Sequence, residues 1–239
     1  MMSIAIHPQQ LFRWLILCIV TLVFLHVLAV GAALAFPSPG REAMRAFFDL
    51  NAEGNLPAKY STLQLAFSAL LLLLLHREAR LSSRPGGGFW LALAGIFLFL
   101  AADEYYMIHE RLSGPVISRL GAANVPSFAW VIPYAALVAA FAASFFRFWW
   151  QLPRAIRRQM AVAALIYVGG SMGMEEIGSR IYESLGKTSP WYLLEVVVEE
   201  SMEMIGIALF IRTLATTLQA RVGVITFQLG SRVLKDHGE

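Results

Sequence analysis

Apolar residues come in long runs along this chain, separated by short segments rich in charge, glycine and proline. A helix needs about 20 mostly apolar residues to cross a hydrocarbon core about 30 Å thick. Six windows meet or approach that length: 11–36, 60–75, 88–107, 129–148, 160–176 and 191–211. The leucines at 70–75 are apolar on every face, whereas 160–176 is interrupted by Gly169, Gly170 and Gly173 and ends in two glutamates. Glycine in a membrane helix lets a neighbour approach closely, so this window is kept as a span. The pattern predicts an all-α fold: a polytopic membrane bundle of about six helices over residues 1–215, followed by a cytoplasmic basic tail over 216–239.

The connecting segments have patterns of their own. In 38–50, Ala43, Met44, Phe47 and Leu50 share one helical face, which predicts an amphipathic helix lying on the outer surface. A turn-rich link with Gly54 and Pro57 follows and completes this element over 38–59. Asp49-Leu50-Asn51-Ala52-Glu53-Gly54 begins as a calcium loop does. Tyr60 stands where the closing glutamate belongs, so an ordinary turn is expected. Gly114-Pro115 and Pro126 mark 112–128 as an outer loop. Ala33-Leu34-Ala35 looks like a signal-peptidase site, but the apolar stretch before it exceeds the roughly 7–15 residues of a signal sequence. A retained first helix is expected. No internal repeat at a fixed period announces an inverted-repeat transporter.

Composition agrees with the pattern. The chain is 58% hydrophobic and 15% charged, where soluble domains are about 45–50% and about 25%. An ordinary soluble, disordered or fibrous protein is excluded. The net charge of +3 is small and scattered, which speaks against nucleic acid as a partner. The single cysteine, Cys18, excludes an intramolecular disulfide framework and a cysteine-based zinc site. With the N-terminus inside, inner segments hold twelve Lys and Arg residues and outer segments seven. That bias places both termini in the cytoplasm. Trp14, Trp90, Trp149 and Trp150 then mark inner ends, and Trp130 and Trp191 outer ends.

The carboxylates run the other way. Of sixteen Asp and Glu residues, ten are Asp103, Glu104, Glu110, Glu175, Glu176, Glu183, Glu195, Glu199, Glu200 and Glu203, at the outer ends of spans three, five and six. At 1.5 Å rise per residue, Glu203 lies about 13 Å above Arg212, near mid-membrane. His26, Gln64, Asp103, Glu175 and Glu199 fall about 18–25 Å above the inner edge. Glu195, Glu199 and Glu203 form one stripe, with Glu200 beside Glu203. Asp103, Tyr106 and Glu110 share a face with His109 at its margin, while Glu104 points towards Arg111. A charge at the centre of a span costs about 2.5–3.5 kcal/mol. These groups should therefore face the bundle and share protons, bind a cation or meet a base. Arg111 and Arg180 are too few to neutralise them.

Several residues have plainer readings. Glu110, Glu176, Glu183 and Glu195 are expected to be solvated at helix ends, and Tyr105 and Tyr106 to belong to an interfacial belt. Met107, Met172, Met174, Met202 and Met204 are core residues rather than copper ligands. The zincin His-Glu-x-x-His is absent, because Ser113 follows His109-Glu110-Arg111-Leu112. The Glu-x-x-His of di-iron bundles is absent too, Val23 and Tyr106 standing three before His26 and His109. No P-loop, glycine-rich nucleotide motif or Gly-x-Ser-x-Gly elbow occurs.

Glu53-Gly54-Asn55-Leu56-Pro57, Asp103-Glu104 with His109-Glu110, and Glu199-Glu200 with Glu203-Met204 resemble a group of uncharacterised bacterial multispan membrane proteins. The resemblance implies a six-helix inner-membrane protein and brings no activity, substrate or cofactor.

The residues themselves point to an outward-facing carboxylate and histidine site. His26, Asp103, His109, Glu175, Glu199 and Glu203 are its candidate metal ligands, and Glu203, Glu199 and Asp103 its candidate catalytic groups. Such a set suits Fe, Mn or Zn and chemistry on a lipid, a small molecule or another membrane-embedded substrate. Two alternatives stay open: a proton- or cation-coupled transporter, and a non-catalytic membrane subunit with a structural acidic network.

Overall fold

The computed structural model describes residues 2–5, 7–120, 130–223 and 226–229. Nine α-helices account for nearly all of the described residues: α1 (Pro8–Ala35), α2 (Pro39–Phe48), α3 (Leu56–Leu81), α4 (Gly87–Tyr106), α5 (Ile108–Leu120), α6 (Val131–Gln151), α7 (Arg154–Val168), α8 (Glu175–Leu185) and α9 (Pro190–Val222). Several starts are written in the sequence. α1, α2, α3 and α9 carry proline in the first turn, where its fixed φ suits the helix and no donor is lost. Asn55 and Ser189 cap α3 and α9, each side chain accepting a backbone N–H three residues on.

A π-helical turn, Gly169–Met174, joins α7 to α8, so the three form one rod from Arg154 to Leu185. Five helical stretches are long and apolar enough to cross a membrane: α1, α3, α4, α6 and this rod. α9, at 33 residues, is longer than any of them, but its glutamates and Arg212 keep it outside that group. The expected count of six therefore depends on α9.

α9 is also the helix around which the bundle is built. It packs on α7, α3, α1, the π turn and α8. Its lower half supplies Ile207, Phe210, Ile211, Leu214 and Leu218 to a core completed by α3 and α4, with Leu72, Leu75 and Trp90 fully enclosed. Its upper half meets α1 and the α2–α3 turn through Tyr192, Val196 and Met204 against Ile19, Leu22 and Leu50. Glycines bring the rod onto α9 backbone to backbone. A Cβ at Gly206 would stand 2.7 Å from the Tyr167 amide nitrogen and 2.9 Å from its Cα. A Cβ at Gly170 would stand 3.0 Å from the Glu199 carbonyl oxygen and 3.1 Å from Glu203 Cγ. The outward faces are apolar, with Trp14, Leu63, Leu137 and Leu165 exposed. α6 is the most peripheral helix, anchored by Tyr134 at one end and Phe148 at the other.

Three features depart from the sequence reading. Residues 108–120 form α5, where a loop was expected to begin at 112. Asp103 supplies an acceptor to the first turn of α5, and Pro115 sits on an exposed stretch where a lost backbone bond can be solvated. The rest of that expected loop, 121–128, lies outside the described residues. α9 does not end at 215. It continues to Val222, with Thr217 and Leu218 buried, because Arg221 reaches back to Glu78. The guanidinium donates to Glu78 Oε2 at 2.9 Å and lies 5.5 Å over the Trp90 ring, while Arg84 stands 3.4 Å from Glu78 Oε1. The tail positions 224–225 and 230–239 lie outside the described residues. Finally, β1 (Met2–Ala5) pairs antiparallel with β2 (Thr226–Leu229), Met2 opposite Leu229. This ribbon holds the chain before α1 and the chain after α9 at one end of the bundle.

Gly206→Ala should lower the thermal unfolding midpoint in detergent, because overpacking costs about 1–3 kcal/mol. Gly31→Ala, with nothing within 4 Å of its Cβ, should not. Equal midpoints for the two variants would contradict the close contact.

Candidate functional site

The first part of the site is a helix junction. α4 stops because Met107 adopts a left-handed conformation, φ 55°, with its amide bonded to the Asp103 carbonyl. α5 starts at once in a new direction. The Asp103 side chain, 5% exposed, fills the angle. Its Oδ1 accepts from the His109 amide at 2.8 Å and faces His109 Nδ1 at 3.2 Å, and its Oδ2 accepts from the Tyr134 hydroxyl at 2.8 Å. Trp130 closes the group, 5.0 Å from the His109 ring and 5.2 Å from that of Tyr134. The carboxylate fixes a proton on Nδ1 and leaves Nε2 as the imidazole's working atom. Burial opposes a charge on His109. The bond and charge of Asp103, with Glu53 and Glu104 nearby, outweigh it and raise its pKa above the ordinary 6.5. Tyr105 and Tyr106 are exposed, edge to face, as belt residues would be.

The second part is carboxylate only. The groups acting most strongly on Glu200 are Glu203, Glu104, Glu53 and Glu175. Those acting on Glu203 are Glu104, Glu175, Glu53 and Asp103. Four elements contribute: the turn before α3, the end of α4, the start of α8 and the middle of α9. The half-buried Tyr167 of α7 lies in the field of the same acids, Glu203, Glu104, Asp103 and Glu200. The π turn places Gly170 directly on Glu203, and π turns recur at functional sites.

The remaining acids divide. Glu199 is acted on by Glu175, Glu200 and Glu195, so it lies between Glu195 and the group around Glu203. Glu195, expected in the headgroup zone, is 4% exposed against Gly178 of α8. Glu176 is paired on the outside with Arg180, Nη2 to Oε1 2.9 Å, so that arginine does not serve the deeper acids. The side chain of Glu110 lies outside the described residues.

The six candidate ligands are therefore not brought to one point. Asp103 and His109 form the junction, Glu175 and Glu203 belong to the carboxylate group, and Glu199 lies between that group and Glu195. His26 holds the α2–α3 turn. Its Nδ1 accepts from the Leu50 amide at 3.0 Å and lies 3.6 Å from Asp49. That turn is an ordinary one, with Asn51 bonded back to Asp49 and Gly54 at φ 73°. Among the described residues, no three His, Cys, Asp or Glu side chains are grouped as metal ligands. Glu104, expected to point towards Arg111, acts instead on the α9 glutamates. The sequence reading missed Glu53, Tyr134, Trp130 and Tyr167. Glu53 and Trp130 sit outside regular helix, where periodicity assigns no face. Tyr134 and Tyr167 are the isolated polar positions of apolar runs, a signal that was present.

The pH dependence of stability follows from His109. Its raised pKa means that the charged pair with Asp103 stabilises fully below pH 6.5, and that this contribution is lost as pH rises through the raised value. The melting temperature in detergent should fall across that window, and His109→Gln should flatten the fall. A variant as pH-dependent as the wild type would contradict the pairing.

No curated protein matches the chain, and no solved structure does. One family model, described as a domain of unknown function (DUF8692), matches residues 14–218, a stretch that contains every candidate site residue from His26 to Glu203. The chain belongs to that family.

Proposed function

We propose that this is a multi-pass protein of the bacterial inner membrane, with both termini cytoplasmic, whose bundle encloses a cation-binding carboxylate site towards the outer face. The observation that carries the reading is the composition of the group around Glu200 and Glu203: the groups acting most strongly on each are carboxylates. Glu53, Glu104, Glu175, Glu200 and Glu203 are each half-buried; acids crowded together repel, and partial desolvation penalises their charge. Such a group persists only with compensating positive charge, either protons or a metal ion. The ribbon between β1 and β2 supports six crossings, since termini on one side require an even number. α9 is then the sixth.

A divalent Fe, Mn or Zn ion would draw on Glu104, Glu175, Glu200 and Glu203, whose side chains would have to converge on it, since no three of them are grouped as ligands here. Such an ion polarises an oxygen or activates water, here on a lipid or another membrane-embedded substrate. His109, oriented by Asp103, would exchange protons at Nε2. The second reading is a proton-sharing group serving coupled transport. It is favoured by the engagement of both imidazoles through Nδ1, which leaves the α9 glutamates without a histidine bonded to them.

Metal analysis of the detergent-purified protein, wild type beside Glu203→Gln and Glu200→Gln, distinguishes these. Stoichiometric Fe, Mn or Zn in the wild type, bound at least about tenfold more weakly in both variants, establishes the metal centre. No metal after incubation with each ion, with proton uptake in liposomes lost in both variants, establishes the proton site. Variants matching the wild type in both assays would overturn the cation-binding reading.

A further inference from the structure

The end of the bundle that holds the β1–β2 ribbon carries a basic patch far from the carboxylates. Between Glu110 and Glu175 the chain has six arginines and no acidic residue. Four of them, Arg147, Arg154, Arg157 and Arg158, lie within twelve residues around the turn that joins α6 to α7. Nothing there offsets them. The first turn of α7 has no acid and its N-cap makes no side-chain hydrogen bond. Among the described residues no ion pair engages any of the four. Glu78, at the same end, is already taken by Arg221 and Arg84.

The turn is locked across its two helices. Trp149 Nε1 donates to the Arg157 carbonyl at 3.0 Å, and Arg157 Nη1 donates to the Trp150 carbonyl at 2.9 Å. The same guanidinium lies 4.3 Å over the Trp150 ring and 5.6 Å over that of Trp149. Arg154 and Arg158, four residues apart, are neighbours on one face of α7, and both are exposed, as is Arg147. Phe146 and Trp150 are exposed too, 53% and 57%, with ring centroids 5.6 Å apart. The patch is thus part guanidinium and part aromatic. It sits at the end of the helix that the protein holds least. Only 6% of the apolar stretch of α6 is buried, against 17–50% for the other four long stretches.

We propose that the α6–α7 turn binds the headgroup of an anionic phospholipid in the cytoplasmic leaflet. The arginines hold its phosphate, and Phe146 and Trp150 lie along its glycerol and upper acyl chains. Both halves of the patch select that occupant. Guanidinium groups take phosphate oxygens in pairs, and indole rings settle at headgroup depth. An acidic protein or a free phosphate would answer the arginines but leave the exposed rings without an apolar partner. The bound lipid joins α6 to α7 where the protein supplies little contact of its own. The choice of leaflet rests on the proposed topology. Binding at the turn does not, and it is independent of any cation at Glu203.

Thermal unfolding of the full-length protein in neutral detergent tests this, with short-chain phosphatidylglycerol and phosphatidylcholine as probes. Phosphatidylglycerol should raise the midpoint and phosphatidylcholine should not. An arginine near an anionic surface contributes about fivefold in affinity, so Arg154→Gln combined with Arg158→Gln should raise the half-saturating concentration roughly 25-fold. Arg119→Gln, an equal charge change on an exposed position of α5, should leave it unchanged. The midpoint in phosphatidylcholine reports whether each variant is folded. Should the double variant not fold, the two single variants, each about fivefold weaker, carry the same test. Equal responses to the two lipids overturn the proposal, as does a double variant that responds to phosphatidylglycerol like the wild type. Glycerol phosphate or polyglutamate raising the midpoint as far as phosphatidylglycerol does would overturn lipid as the occupant, in favour of a free anion or an acidic protein.

Discussion

The backbone contact between the α7–α8 rod and α9 is the constraint on which everything else in this bundle depends. α9 carries four glutamates in nine residues, a density that no lipid-facing helix can hold. It tolerates them because Gly170 and Gly206 let the rod lie against its backbone, and because α1 and α3 cover its other sides. Small residues at helix interfaces are the usual means of close approach in membranes. Here they also position chemistry, for Gly170 rests on Glu203 and Gly178 on Glu195.

Charge is sorted along the bundle. At the end that holds β1 and β2, Glu78 is answered by Arg221 and Arg84, and Arg221 lies over Trp90. At the other end two of the bases are already engaged. Arg180 serves Glu176, and Arg45 lies beside Asp49 and Glu42. One end of the bundle closes as a compensated clamp. The other holds the carboxylates, with the Asp103–His109–Tyr134 junction beside them.

Much of this was legible in the sequence, since apolar periodicity is a strong signal over twenty residues. The runs gave the long helices, the face shared by Ala43, Met44 and Phe47 gave α2, and the i, i+4 stripe of Glu195, Glu199 and Glu203 located the acidic face of α9. What failed depended on contacts that spacing does not carry. The π turn at Gly169–Met174 shifts the helical phase, so Glu175 cannot be placed by counting from Met160. Glu53 lies in a turn with no period. The capping of α5 by Asp103 overrode the breaker signal of Gly114-Pro115. Glu195 looked solvated because depth along a helix says nothing of a glycine on its neighbour.

The central claim is that α9 crosses the membrane with its glutamates enclosed. Compartment-sensitive reporters fused separately to the two termini test it most directly. Both termini should report the cytoplasm, as the β1–β2 ribbon and an even number of crossings require. Reporters on opposite sides would leave α9 outside the set of crossing helices and contradict the claim.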